Sequence, residues 1–154
     1  MKKPQEKYAV EESKFFIIDS ELKINIEDTI GEEIECLYYD NGHPKSITYL
    51  KGEILHGPST FLNIEGKILS QSWFVNGVIE GKSFEFYHSG QVSSIQRFKN
   101  GLRVGLQEYF YPDGSLKSII PYKKGHIDGN VQLFEPTGAI KRDLQYVKGV
   151  RKEG

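Results

Sequence analysis

An all-β chain is predicted: one elongated single antiparallel sheet of about six tandem 24-residue β-hairpin repeats. Three observations carry this prediction. Gly42, Gly66, Gly90, Gly114 and Gly138 stand 24 residues apart without a slip. Gly57, Gly81, Gly105 and Gly129 form a second comb in the same register, and Gly77, Gly101, Gly125 and Gly149 a third. The segments between them alternate apolar and polar residues with the period of a strand. Thirteen of the sixteen glycines fall in these combs, so glycine here is positional, and an array of one supersecondary unit is the consequence.

The elements follow in order within one unit. In Glu108–Asn130, EYFYPDGSLKSIIPYKKGHIDGN, the β-forming EYFY runs into PDG. Pro112 presets φ, Asp113 can bond its own backbone and Gly114 accepts positive φ, so a turn is expected there. SLKSIIPY then places Leu116, Ser118, Ile120 and Tyr122 on one face, with Pro121 weakening continuous pairing. KKG breaks this strand and HIDG leads to the next unit, so each unit reads as a hairpin plus a connector bounded by glycines. Gly42, Gly66, Gly90, Gly114 and Gly138 are assigned to the hairpin turns.

Alignment of the units gives columns. Leu50, Phe74, Phe98, Tyr122 and Tyr146 make one apolar row, and Tyr38, Leu62, Phe86, Phe110 and Phe134 another. Ile68, Val92, Leu116 and Ile140 make a third, beside a serine column of Ser46, Ser70, Ser94 and Ser118. Stacking between neighbouring units is their expected role. Phe15–Gly31 overlays Tyr109–Gly125 with Ser20 in place of the turn glycine, as a worn capping repeat would. The domain reading is therefore a polar, flexible segment over 1–13 and a repeat domain over 14–154, with a degenerate cap at 14–35 and five regular units at 36–154.

The recurring YYDNG, FYHSG and YFYPDG, each followed about eight residues later by an aromatic and then N-G or K-G, resemble the MORN-repeat variant. This variant occurs in bacterial proteins described as YwqK-type antitoxins or immunity proteins. The resemblance implies a binding array and, through the antitoxin description, capture of a protein partner such as a toxin.

Function classes narrow further. A net charge of −1 gives no electrostatic footprint for nucleic acid. No apolar run reaches membrane-spanning length, MKKPQEKYAVEESK lacks the apolar core of a signal peptide, and Cys36 is the single cysteine. A cytoplasmic protein is expected. His43 and His88, two units apart at the turn end, would be roughly 19 Å from each other, too far for one metal ion. His56, Glu80 and Asp128 share a column with neighbours roughly 10 Å apart, and a hydrolase built from them ranks last. No catalytic residue, metal site or cofactor is assigned, and the expectation is that the chain is not an enzyme.

Binding has more support. Tyr49, Trp73 and Arg97 form a column of the residue types enriched at interface hot spots, on the face opposite the aromatic rows. Tyr39, Tyr87 and Tyr111 add a second candidate column, although stacking within the sheet explains tyrosines equally well. Lys45, Lys117 and Lys141 fit a solvated face. The leading expectation is a non-enzymatic protein-binding module, plausibly an antitoxin or immunity partner or a scaffold, acting as a monomer or weak dimer. Carbohydrate or cell-wall binding and membrane association are the alternatives.

Overall fold

The computed structural model describes residues 30–153. The segment 1–13 and most of the capping repeat fall outside them. The described chain forms one open antiparallel sheet of 13 strands. Strands β1 (Glu33–Tyr38), β2 (Pro44–Lys51), β3 (Ile54–Leu62), β4 (Ile68–Val75), β5 (Val78–Phe86) and β6 (Val92–Lys99) pair in sequence order. The path continues through β8 (Gly105–Phe110), β9 (Leu116–Lys123), β11 (Gly129–Phe134), β12 (Ile140–Val147) and β13 (Val150–Lys152). The short β7 (Leu102–Arg103) and β10 (His126–Ile127) pair with β6 and β9 only.

The sheet is a continuous meander, which revises the expected alternation of hairpins and connectors. Each strand of the path pairs with the one before it on the path, and β7 and β10 continue the hairpins of β6 and β9, so both ends of each unit are hairpin turns. One kind spans Tyr39–His43, Tyr87–Gln91, Tyr111–Ser115 and their equivalents. There the first N–H donates to the carbonyl of the last residue, as from Tyr111 to Ser115 at 2.8 Å. The comb glycine donates back, as from Gly114 to Tyr111 at 2.9 Å. Gly114 has φ +90°, where a side chain would be strained.

The other kind is a tight turn. Asn76–Gly77, Asn100–Gly101, Lys124–Gly125 and Lys148–Gly149 have positive φ at both residues, near 50° and 80°. That is the type I′ geometry whose twist matches paired strands. Gly52–Glu53 has positive φ at both places too, 56° and 69°, which explains how its glycine can come one residue early.

The remaining comb does not bound a connector. Gly57 and Gly81 lie inside β3 and β5, at a bulge. Pairing jumps from Thr48–Ser59 to Leu50–Leu55, so His56, Gly57 and Pro58 face Tyr49. The same step separates Gln71–Phe84 from Trp73–Glu80. In the later units the bulge splits the strand, which is why β7 and β10 are separate pieces. Bulges re-aim side chains, and here they aim the residues of the His56 column at the next tight turn.

A second register shift, between Phe61 and Leu62, brings Leu62 and Ile68 to the side of Ile47 and Tyr49. The core is accordingly Ile47, Tyr49 and Leu62, with Ile30, Ile34, Cys36 and Ile68 packed against it. The Leu62 row, expected on the face opposite Tyr49, is brought by this step to the side of Tyr49 in the first units.

Candidate interaction surface

Hydrogen bonds explain most of the columns. The hydroxyls of Tyr39, Tyr87 and Tyr111 donate to the carbonyls of Leu62, Phe110 and Phe134, each at 2.7 Å. Each bond spans 23 residues, so a tyrosine ties its unit to the next one. At the corresponding place Asn63 instead turns inward on its own loop, where Oδ1 accepts from the N–H of Glu65 and of Lys67. Lys45 and Lys117 set their ammonium groups 5.7 Å from the ring centres of Tyr39 and Tyr111, covering a π face.

The hot-spot column divides. Tyr49 and Trp73 are interior residues, 3% and 2% exposed, so no partner reaches them in this conformation. Trp73 Nε1 is buried without a hydrogen-bond partner among the described residues. Arg97 is partly exposed and tied to its neighbours. Its Nη1 donates to Glu108 Oε1 at 2.6 Å and to the Leu106 carbonyl at 2.7 Å, while its backbone N–H donates to Gln107 Oε1 at 2.8 Å. Gln107 itself is fully buried, and its Nε2 donates to the Val104 carbonyl at 3.0 Å. This amide fills the bulge before β8, a role that nothing in the alternation pattern marks.

The His56 column is a set of turn clamps. His56 Nδ1 accepts from the Asn76 N–H at 2.9 Å, Glu80 Oε1 from the Asn100 N–H at 2.6 Å and Asp128 Oδ2 from the Lys148 N–H at 3.3 Å. Each acceptor serves the tight turn of the following unit. Among the described residues, no group of three or more His, Cys, Asp or Glu side chains is placed to hold a metal ion.

Two ionisable groups are perturbed by local structure. Burial raises the Tyr109 hydroxyl above the ordinary tyrosine value, against the pull of nearby Arg103. Asp113 is held below the usual carboxylate range by the hydroxyl and N–H of Ser115, both of which donate to it. Arg103 lies between two units, 5.9 Å from the Phe98 ring centre and 5.6 Å from that of Tyr122.

One surface feature escaped the sequence reading. Immediately after each tight turn stands Ile54, Val78, Leu102, His126 or Val150. The four aliphatic members are 51%, 43%, 50% and 60% exposed. Ile54 leans on the next turn so closely that a Cβ at Gly77 would sit 3.0 Å from its Cγ2. The result is an exposed apolar row along one edge of the sheet, about one hairpin, roughly 10 Å, from member to member. The signal was present as an apolar residue directly following four of the five turn dipeptides.

The fold thus defines a single-sheet tandem-hairpin repeat protein, tied unit to unit. Residues 79–100 and 103–124 match the family described as the MORN repeat variant. No curated protein matches it. Among solved structures, it is similar to a chain of a glycosylation-associated protein complex from Streptococcus agalactiae, at 22% identity and a TM-score of 0.40. That match covers 79% of this chain and 22% of the other. Accessory secretory proteins 1, 2 and 3 of Streptococcus pneumoniae give a similar match, at 23% identity and a TM-score of 0.39. It covers 80% of this chain and 23% of the other. The chain spans less than a quarter of the length of either matched chain.

Proposed function

We propose that this chain is a non-enzymatic protein-binding module whose contact surface includes the tight-turn edge of the sheet. The exposed row of Ile54, Val78, Leu102 and Val150 carries this reading. Apolar side chains aligned on a rigid platform favour association, because contact removes them from water together. The MORN repeat supports the same class of function. Of the residues expected to touch a partner, Arg97, Tyr39, Tyr87 and Tyr111 keep partly exposed surfaces, while Tyr49 and Trp73 contribute only if their face opens.

The finer proposal is that the partner is a bacterial toxin, neutralised in the cytoplasm by this chain as a monomer or weak dimer. Its support is the likeness of YYDNG, FYHSG and YFYPDG to repeats of antitoxin-type proteins. A pull-down with the full chain tests the surface: Val78→Lys combined with Leu102→Lys should release a partner that the parent retains. Unchanged capture would remove the row from consideration. Co-expression of the captured protein with and without this chain reads toxicity directly, and growth unaffected by either would end the antitoxin reading.

A further inference from the structure

The turn clamps have a gap. In the unit that precedes the Lys124–Gly125 turn, the column of His56, Glu80 and Asp128 is occupied by Val104. Gly125 still donates to the Arg103 carbonyl at 3.0 Å, as the equivalent glycines do in their own turns. The Lys124 N–H, however, has no acceptor among the described residues. At this point the edge opens into a groove of ≈ 790 Å³ lined by Val104, Gly105, Tyr122, His126 and the charged residues Lys123, Lys124, Asp128 and Lys148. The equivalent groove two units earlier, where Glu80 stands at the place of Asp128, measures ≈ 430 Å³.

We propose that this groove receives a carboxylate from a protein partner, an aspartate or glutamate side chain that takes the place left by Val104 and accepts the Lys124 N–H. Three features converge on that ligand. The backbone already binds a carboxylate at this place in the neighbouring units, through Glu80 and Asp128. Three lysines line the groove against one aspartate, and Asp128 is turned towards the Lys148 N–H and, at 3.9 Å, towards Lys123 Nζ. A hydrogen bond to an ionised acceptor is stronger than a neutral one, and the lysines favour the charge. Finally, the groove opens beside His126, the non-aliphatic member of the row, so a chain lying along that row carries its side chains past the opening. The assignment of a peptide rests on the protein-binding reading; the vacant acceptor position does not.

The test follows the Lys124 amide resonance of the full chain during titration with the capped peptide Ac-Leu-Glu-Val-NH2. Expected is a saturable downfield shift, with binding at least about tenfold weaker for Ac-Leu-Gln-Val-NH2 and for acetate. Val104→Glu supplies the missing acceptor and should abolish the response without lowering Tm. Lys148→Glu, a change on the exposed rim, should weaken binding in the same direction and serves if the first variant misfolds. The site is refuted if the Lys124 amide stays fixed, if the glutamine peptide acts equally, or if Val104→Glu binds like the parent. An equal response to acetate would overturn the peptide as source and assign a free organic acid. The protein-binding reading fails separately, by unchanged capture after Val78→Lys with Leu102→Lys.

Discussion

The two halves of the sheet repeat one motif and hold it by different means. In β2–β4 the chain buries Ile47, Tyr49, Leu62 and Trp73 to 3% exposure or less, together with Thr60 and Gln71. From β8 onward Val131 is the one buried hydrophobic, and the other buried side chains are the polar Gln107 and Ser118. Tyrosine hydroxyls and turn clamps join units in both halves, but in the second they act with the buried Gln107 amide and the rings beside Arg103, and with little buried apolar surface. The lesson is that a repeat can conserve its turns while changing what stabilises them, from removal of apolar surface to pairing of polar groups.

The largest effect that could break this comparison is at Trp73. Trp73→Ala should cost about 3–5 kcal/mol, since a large buried ring is lost and a cavity remains. Trp73→Phe should cost far less, because it also removes a buried N–H that has no partner among the described residues. Chemical denaturation of both variants checks this, and equal losses would mean that the indole N–H is satisfied in solution. Next, Gln107→Ala should cost about 2–3 kcal/mol by leaving the Arg97 N–H and the Val104 carbonyl unpaired. A loss below that of an exposed-site variant would show that polar pairing does not hold the second half.

Gly129→Ala and Gly138→Ala sharpen the contrast between two teeth of the comb. Both residues have positive φ, but a Cβ at Gly129 would sit 3.0 Å from Pro121 Cγ, whereas Gly138 has nothing within 4 Å. About 1–2 kcal/mol is expected at Gly138 from backbone handedness, and a larger loss at Gly129, both read by thermal melting. Tyr111→Phe should cost about 1 kcal/mol for the bond to Phe134. It should also speed hydrogen exchange in β11 ahead of that in β4.

Asp113→Ala is the smallest. The folded-state pKa is lowered, so the group stabilises above the ordinary aspartate value and stops doing so as the pH falls through the lowered one. Because Asp113 is fully exposed, the Tm difference from the parent should be slight at neutral pH. It should vanish on acidification, and a difference growing towards low pH would reverse the sign.

Much of this was legible in the sequence because glycine and alternation are local signals. The combs gave the period, and the column of His56, Glu80 and Asp128 was visible as a column. Its purpose was not, since its target lies 20 residues ahead, in a turn that read as a connector. The bulge at Gly57 and Gly81 was hidden for a related reason: a glycine of positive φ serves a turn or a bulge alike. Alternation placed Tyr49 and Trp73 on one side of the sheet, yet alternation says which residues share a face and not which face is covered. Gln107 carried no pattern at all, because it fills a bulge present in every unit with an amide present in one.

The tyrosine bond reaches 23 residues forward, and the turn clamp 20. Neither extends past the adjoining unit. Removal of one whole period, such as 79–102, would therefore rejoin compatible neighbours, while a deletion of any other length would misalign every bond downstream. Length in this molecule is an adjustable quantity with a fixed increment. Unequal recombination between its repeats could lengthen or shorten the contact edge without designing a new fold.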